Sequence, residues 1–190
     1  MSSPFRSLRF VWAAPLLMSL TPGARTAESS AQPPVMAPDE QKLAMGKLEA
    51  MIGNWVGSGW LETGDGRSSF HGGERVQSKL EGLALVVEGT FLAKDARTGQ
   101  DVPAHATLGV ISFDPVSKSY RFKTWLATGS TGERELKLTT NGWQWEIARP
   151  NGTIRYTTAF VAGEWLEVGE RSVDGRSWQK FFEMRLRRAL

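Results

Sequence analysis

Gly53-Asn54-Trp55-Val56-Gly57-Ser58-Gly59-Trp60 decides how this 190-residue chain is read. Gly53 suits the end of a helix, because glycine accepts the left-handed backbone that helix termini often adopt. From Trp55 the pattern turns to period two. Trp55, Gly57, Gly59 and Leu61 face one way; Val56, Ser58, Trp60 and Glu62 face the other. Two glycines on one face weaken a strand unless it must coil sharply or admit a neighbouring backbone. The first strand of a closing barrel has that need.

Downstream the chain alternates strand and turn to its end. Asn141-Gly142, Asp174-Gly175 and Pro150-Asn151-Gly152 are hairpin signals, since Asn, Asp and Gly tolerate positive φ. The spacing predicts about ten strands, near 54–63, 67–80, 83–94, 104–114, 119–127, 133–140, 142–149, 152–161, 164–172 and 176–188. Trp143, Trp145 and Ile147 oppose Gln144 and Glu146, while Tyr120 and Phe122 oppose Arg121 and Lys123. One dry face without a helical layer to cover it must curl onto itself. The predicted fold is all-β: an up-and-down antiparallel barrel over 53–190, with one short N-terminal capping helix within 32–52. Pro38-Asp39-Glu40 starts that helix, and residues 32–37 read as a linker.

Residues 1–31 read as a signal peptide. Arg6 and Arg9 precede an apolar run from Phe10 to Leu20, and small residues follow at Ala24, Ala27 and Ala31. The run is too short to span a bilayer. Export to the periplasm or beyond is expected, with cleavage between Arg25 and Gln32 and no integral membrane span left in the mature protein. The chain has no cysteine, which removes disulfides, thiolate metal sites and lipoprotein anchoring. The leader holds Arg6, Arg9, Arg25 and Glu28. It leaves 20 basic against 19 acidic residues, too even a balance for a nucleic-acid surface.

The Gly53-x-Trp55 pair at the head of the first strand, after a short helix, resembles the signature of the lipocalin-like (calycin) superfamily. The longer Gly53-x-Trp55-x-Gly57-x-Gly59 is similar to the opening of nitrobindin-type ten-stranded barrels and of uncharacterised secreted bacterial lipocalin-like families. The resemblance covers roughly residues 40–188, mostly as strand rhythm. It implies an arginine of the last strand packed over Trp55, for which Arg185 and Arg187 are the candidates. It also implies a small-molecule interior. Nitrobindin-type barrels hold heme through a histidine near the C-terminal strands. This chain has none after His105, so no cofactor is expected unless Tyr120 or Tyr156 served as the iron ligand.

Strand parity places Tyr120, Phe122, Trp143, Trp145, Tyr156, Phe182 and Met184 on dry faces, as the lining of a site for a small apolar or amphipathic ligand. Leu85, Val87 and Phe91 join them, with Leu108 and Val110 from the next strand. Gly57, Gly59 and Gly89 are expected to leave space near the axis, and the mouth to lie away from the helix. His71 and His105 read as surface or strand-end residues, and no metal site is visible. Two other uses stay open. One is a barrel enzyme built on an inward Glu/Arg set, with Glu170 and Arg155 as candidates. The other is a filled barrel that acts through a protein partner. No nucleophile-elbow, P-loop or dinucleotide motif is present.

Overall fold

The computed structural model describes residues 38–189; the predicted leader, its cleavage site and the linker lie outside them. Helix α1 (Pro38–Gly46) opens with Asp39 and Glu40 in its first turn, where acids complement the helix dipole. A 3₁₀ turn, Glu49–Met51, follows and delivers the chain to the barrel. Ten strands come next: β1 (Gly53–Thr63), β2 (Gly66–Lys79), β3 (Ala84–Lys94), β4 (Asp101–Asp114), β5 (Ser119–Leu126), β6 (Thr131–Thr139), β7 (Gly142–Arg149), β8 (Gly152–Val161), β9 (Glu164–Ser172) and β10 (Gln179–Arg188). Each pairs antiparallel with its sequence neighbour, and β10 pairs with β1 to close the ring. Closure leaves neither terminal strand with a free edge.

Gly57 shows why the opening motif is glycine-rich. A Cβ there would strike the Arg185 carbonyl of β10, so the seam that closes the barrel needs its bare backbone. At Gly53, where φ is +143°, the space a Cβ would take is filled by the Arg188 guanidinium.

The two ends differ. The end reached by α1 is plugged by Met45, Leu48 and Met51, each at most 3% exposed. These pack onto Trp55, Val76, Leu85, Leu136, Trp165 and Leu186 in one buried cluster. Trp55 Nε1 donates to Met51 O at 2.7 Å, and Tyr120 Oη donates to Ala44 O at 2.6 Å. Lys42–Glu81 and Lys118–Glu40 tie the helix to the β2–β3 and β4–β5 turns, as exposed pairs of small energetic weight.

The arginine expected over Trp55 is present, but it is Arg188. Its guanidinium lies 4.5 Å from the indole centroid and donates to Ile52 O at 2.7 Å and Ala50 O at 3.2 Å. Arg185 and Arg187 turn outward to Glu183 and Glu164. The reason is register: Trp55 pairs with Arg188, and directly paired residues share a face. Leu186 and Met184 have that same parity and are buried.

Strands β6 and β7 pair only at Lys137–Thr139 with Gly142–Gln144, next to their turn. Beyond that point they diverge, although β6 still pairs with β5 through Thr131 and β7 with β8 through Arg149. The wall is therefore slit between β6 and β7, toward the end away from the helix.

Candidate functional site

Inside the ring is a cavity of about 660 Å³. Met51 forms its floor at the plugged end. Its mouth, at the opposite end, is rimmed by the exposed Thr63, Ser68, Ser130, Thr131 and Arg149. The mouth runs into the β6–β7 slit, between Arg134 on one strand and Ile147 and Arg149 on the other. A surface groove of about 690 Å³ lies among the turns at this end, walled by loop residues including Asp174, and is a separate, shallower feature.

The wall is aromatic. Trp145 stacks on Tyr156 with centroids 4.5 Å apart, Tyr156 meets Phe182 edge-on at 5.7 Å, and Phe182 stacks on Phe70 at 5.7 Å. Phe122 extends this belt at one end and Phe91 at the other. Below it, Trp55, Trp143, Phe160 and Trp165 form a second cluster, with centroids 5.2–5.9 Å apart. Contacts at these separations favour offset-stacked and edge-to-face ring arrangements, which gives the wall a packed aromatic surface.

Two acids interrupt it. Glu74 of β2 and Glu167 of β9 both line the cavity. They touch its internal space while lying far from bulk water. Burial and the nearby Glu167 push the Glu74 carboxyl up to about 8. Burial also raises Glu167, against a 3.1 Å hydrogen bond from the fully buried Thr158 and the pull of the Trp165 indole. Trp165 Nε1 is itself buried and has no hydrogen-bond partner. Glu74 Oε2 is likewise buried and unpartnered. Repulsion between the two is mutual, so at neutral pH the pair holds a proton. Nearby, burial and Glu167 push the Tyr156 phenol up to about 12, with Arg149 pulling the other way.

Of the residues expected to line the site, Phe122, Trp143, Trp145, Tyr156, Phe182 and Met184 do. Tyr120 points inward but is buried beneath α1, in the plug. Val87 and Phe91 line the cavity, and Leu85 packs in the plug. Leu108 is 42% exposed and faces out with Val110. Their strand carries apolar residues on both faces, and the pairing of Leu85 with Ile111 and Val87 with Gly109 sets the inner one. Gly59 and Gly89 leave no free space: Phe70 lies over the first, and Glu74 Oε1 sits 2.7 Å from where a Cβ would stand on the second.

Arg155 and Glu170 are brought together at 2.7 Å, but on the outer face. Tyr156 pairs with Gly169 and Thr158 with Glu167, so the inward parity of β9 is that of Glu167, not of Leu166 and Glu170. Arg155 also stacks on Trp178 at 3.7 Å, which makes Trp178 an outer-face residue. His105 faces inward near the mouth, 6.5 Å from the Phe91 ring, and burial lowers its pKa. His71 faces out, 3.8 Å from Asp101.

Glu74 and Glu167 are the residues that sequence reasoning passed over. A signal existed for Glu74: it shares parity with Phe70 and Val76, and its partner across the ladder is a glycine.

No family model matches the chain, and no curated protein matches it. Among solved structures it is similar to the crystal structure of Rv2717c from M. tuberculosis, at 14% identity and a TM-score of 0.53, covering 82% of this chain and 100% of that one. A likeness at that identity speaks for the fold alone.

Proposed function

We propose that this is an exported, calycin-like carrier that reversibly binds one small amphipathic molecule inside its barrel. The observation that carries the reading is the 660 Å³ aromatic cavity, closed at one end and open at the other. Its size falls in the range of pockets for small ligands, about 300–1,000 Å³. Four tryptophans face it or underlie it, and the interlocked rings keep it from collapsing. The ligand body lies along the belt from Phe122 to Phe91. A polar outer end meets Arg134 and Arg149 at the mouth. The β6–β7 slit offers a lateral way in, because few ladder bonds have to part there.

Heme is left out of this reading. The histidine that the nitrobindin resemblance calls for is missing after position 105. Tyr120 Oη donates a hydrogen bond to Ala44 O, and burial pushes Tyr156 toward the neutral phenol, so neither favours phenolate ligation.

The test uses N-phenyl-1-naphthylamine, a neutral apolar fluorophore. Its titration should quench tryptophan emission with a micromolar Kd. Thr107→Trp, which fills the cavity from β4, should abolish binding. Leu108→Trp, one residue along on the outer face, should leave it unchanged. Absent binding, or equal binding by both variants, would sink the carrier reading.

A further inference from the structure

Two carboxyl groups stand in the wall of the cavity, and the chain supplies one good donor between them. Thr158 Oγ1 donates to Glu167 Oε2. Glu74 Oε2 is buried and receives nothing. A buried carboxyl without a donor is strongly destabilising, and a second acid nearby makes it worse. An apolar side chain of similar length would carry no such penalty at either position. The placement makes physical sense when the missing charge and donors arrive from outside.

The surroundings indicate what arrives. Trp165, Tyr156 and Phe182 line the same cavity as the acids, and aromatic rings are favourable neighbours for a cation. The other charged or titratable groups that face the interior are accounted for. His105 of β4, Arg134 of β6 and Arg149 of β7 line the cavity toward its mouth and lower neither carboxyl. Arg188 of β10 is turned to the Ala50 and Ile52 carbonyls, and Tyr120 of β5 to that of Ala44. Strand β3 presents Val87, Gly89 and Phe91, with no charge of its own. No basic side chain of the described residues neutralises the pair.

We infer that Glu74 and Glu167 recognise a basic nitrogen: the inner end of the ligand is a protonated amine on an aromatic or other apolar body, held by both carboxylates in the aromatic part of the cavity. This deepens the carrier reading and rests on it. The amine meets an ionised Glu74, so the proton that the empty site holds must leave when the amine binds. Affinity then falls as pH drops below about 8, by up to about tenfold per unit, as the site's proton competes with the ligand.

The experiment compares tryptamine with tryptophol, which has the same indole and a neutral hydroxyl in place of the ammonium. Calorimetry at pH 8.5 should show tryptamine at least about tenfold tighter, as expected for charge-assisted hydrogen bonds in a buried site. Repeating it in buffers of different ionisation enthalpy at pH 7 should reveal proton release. Glu74→Gln should bring the two ligands to within about twofold while tryptophol binding persists, and Glu167→Gln should also reduce the preference, with non-additive effects in the double variant because both acids hold one amine. Tryptophol binding as well as or better than tryptamine would overturn the amine site and leave the carrier reading standing. Failure of both indoles and of the neutral fluorophore would remove the two together.

Discussion

The plugged end and the open end of this barrel are built from the same strands with opposite results. At the plugged end, side chains converge: three residues of the N-terminal segment, a second aromatic cluster, and Arg188 bonded to two carbonyls above Trp55. At the open end the inward positions include Thr63, Ser68, Thr131 and Arg149, polar and exposed, and β7 has let go of β6. The acids lie in the wall between the two. The difference separates what holds the ring together from what the ring encloses. Side-chain packing is concentrated at the plugged end, and the cavity lies where the packing is open.

Three measurements bear on that division. The largest effect is expected from Trp55→Ala, which removes the indole at the centre of the plug. Urea denaturation should show a loss of about 3–5 kcal/mol, against under about 1.5 kcal/mol for Leu126→Ala at the mouth. Equal losses would mean that the two ends are energetically alike. The next concerns the wall between them. Glu74 holds its proton to about pH 8 when folded and releases it near 4.5 when unfolded. Its raised folded pKa means that the unfolded chain loses the proton first, so stability of the empty barrel falls as pH rises from about 4.5 to 8. Glu74→Gln should therefore stabilise the protein at pH 8 by on the order of a few kcal/mol and do nothing at pH 4. A pH-independent effect would place the carboxyl in water. The smallest contrast lies within the plug. Arg188→Ala should cost about 1–2 kcal/mol in thermal or urea melts, through one cation–π contact and two carbonyl bonds, while Arg187→Ala on the outer face should stay within about 0.5 kcal/mol.

The ring itself was legible in the chain. Each of the ten strands lies within three residues of its expected bounds, because tight-turn residues mark their ends. The helix and the position of the mouth were also readable, but the helix ends at Gly46 rather than at Gly53, which instead opens β1 after a 3₁₀ turn. What failed was sidedness. Alternation says that a strand has two faces; it says which is inner only when one face is plainly apolar. Strand β4, with Leu108 and Val110 on one face and Ile111 and Phe113 on the other, gives no such answer, and β9 pits Leu166 and Val168 against Trp165. Pairing settles both, since Tyr156 fixes Gly169 and Leu85 fixes Ile111. The same gap hid the candidate site. A glutamate read alone looks solvated; the parity of Glu74 with Phe70 and Val76 hinted at its direction, and the cross-strand partners Gly89 and Thr158 show that Glu74 and Glu167 point into the barrel. Arg188 was missed by one position for that reason, although Leu186 already marked its face.

The seam of β1 with β10 also sets a clock. Trp55 meets Arg188 across almost the whole described chain, the most sequence-distant strand pairing of the ring. Contacts this distant in sequence form late and slowly, because the loop between them loses its freedom before the contact returns anything. A nascent chain that lacks its last strand exposes two unpaired borders, β1 and β9, each ready to pair with a neighbour of its own kind. The final ten residues of the barrel thus act as a latch in time as well as in space: until they arrive the molecule is a sticky ribbon, and once they do β1 and β9 have no free border left to share.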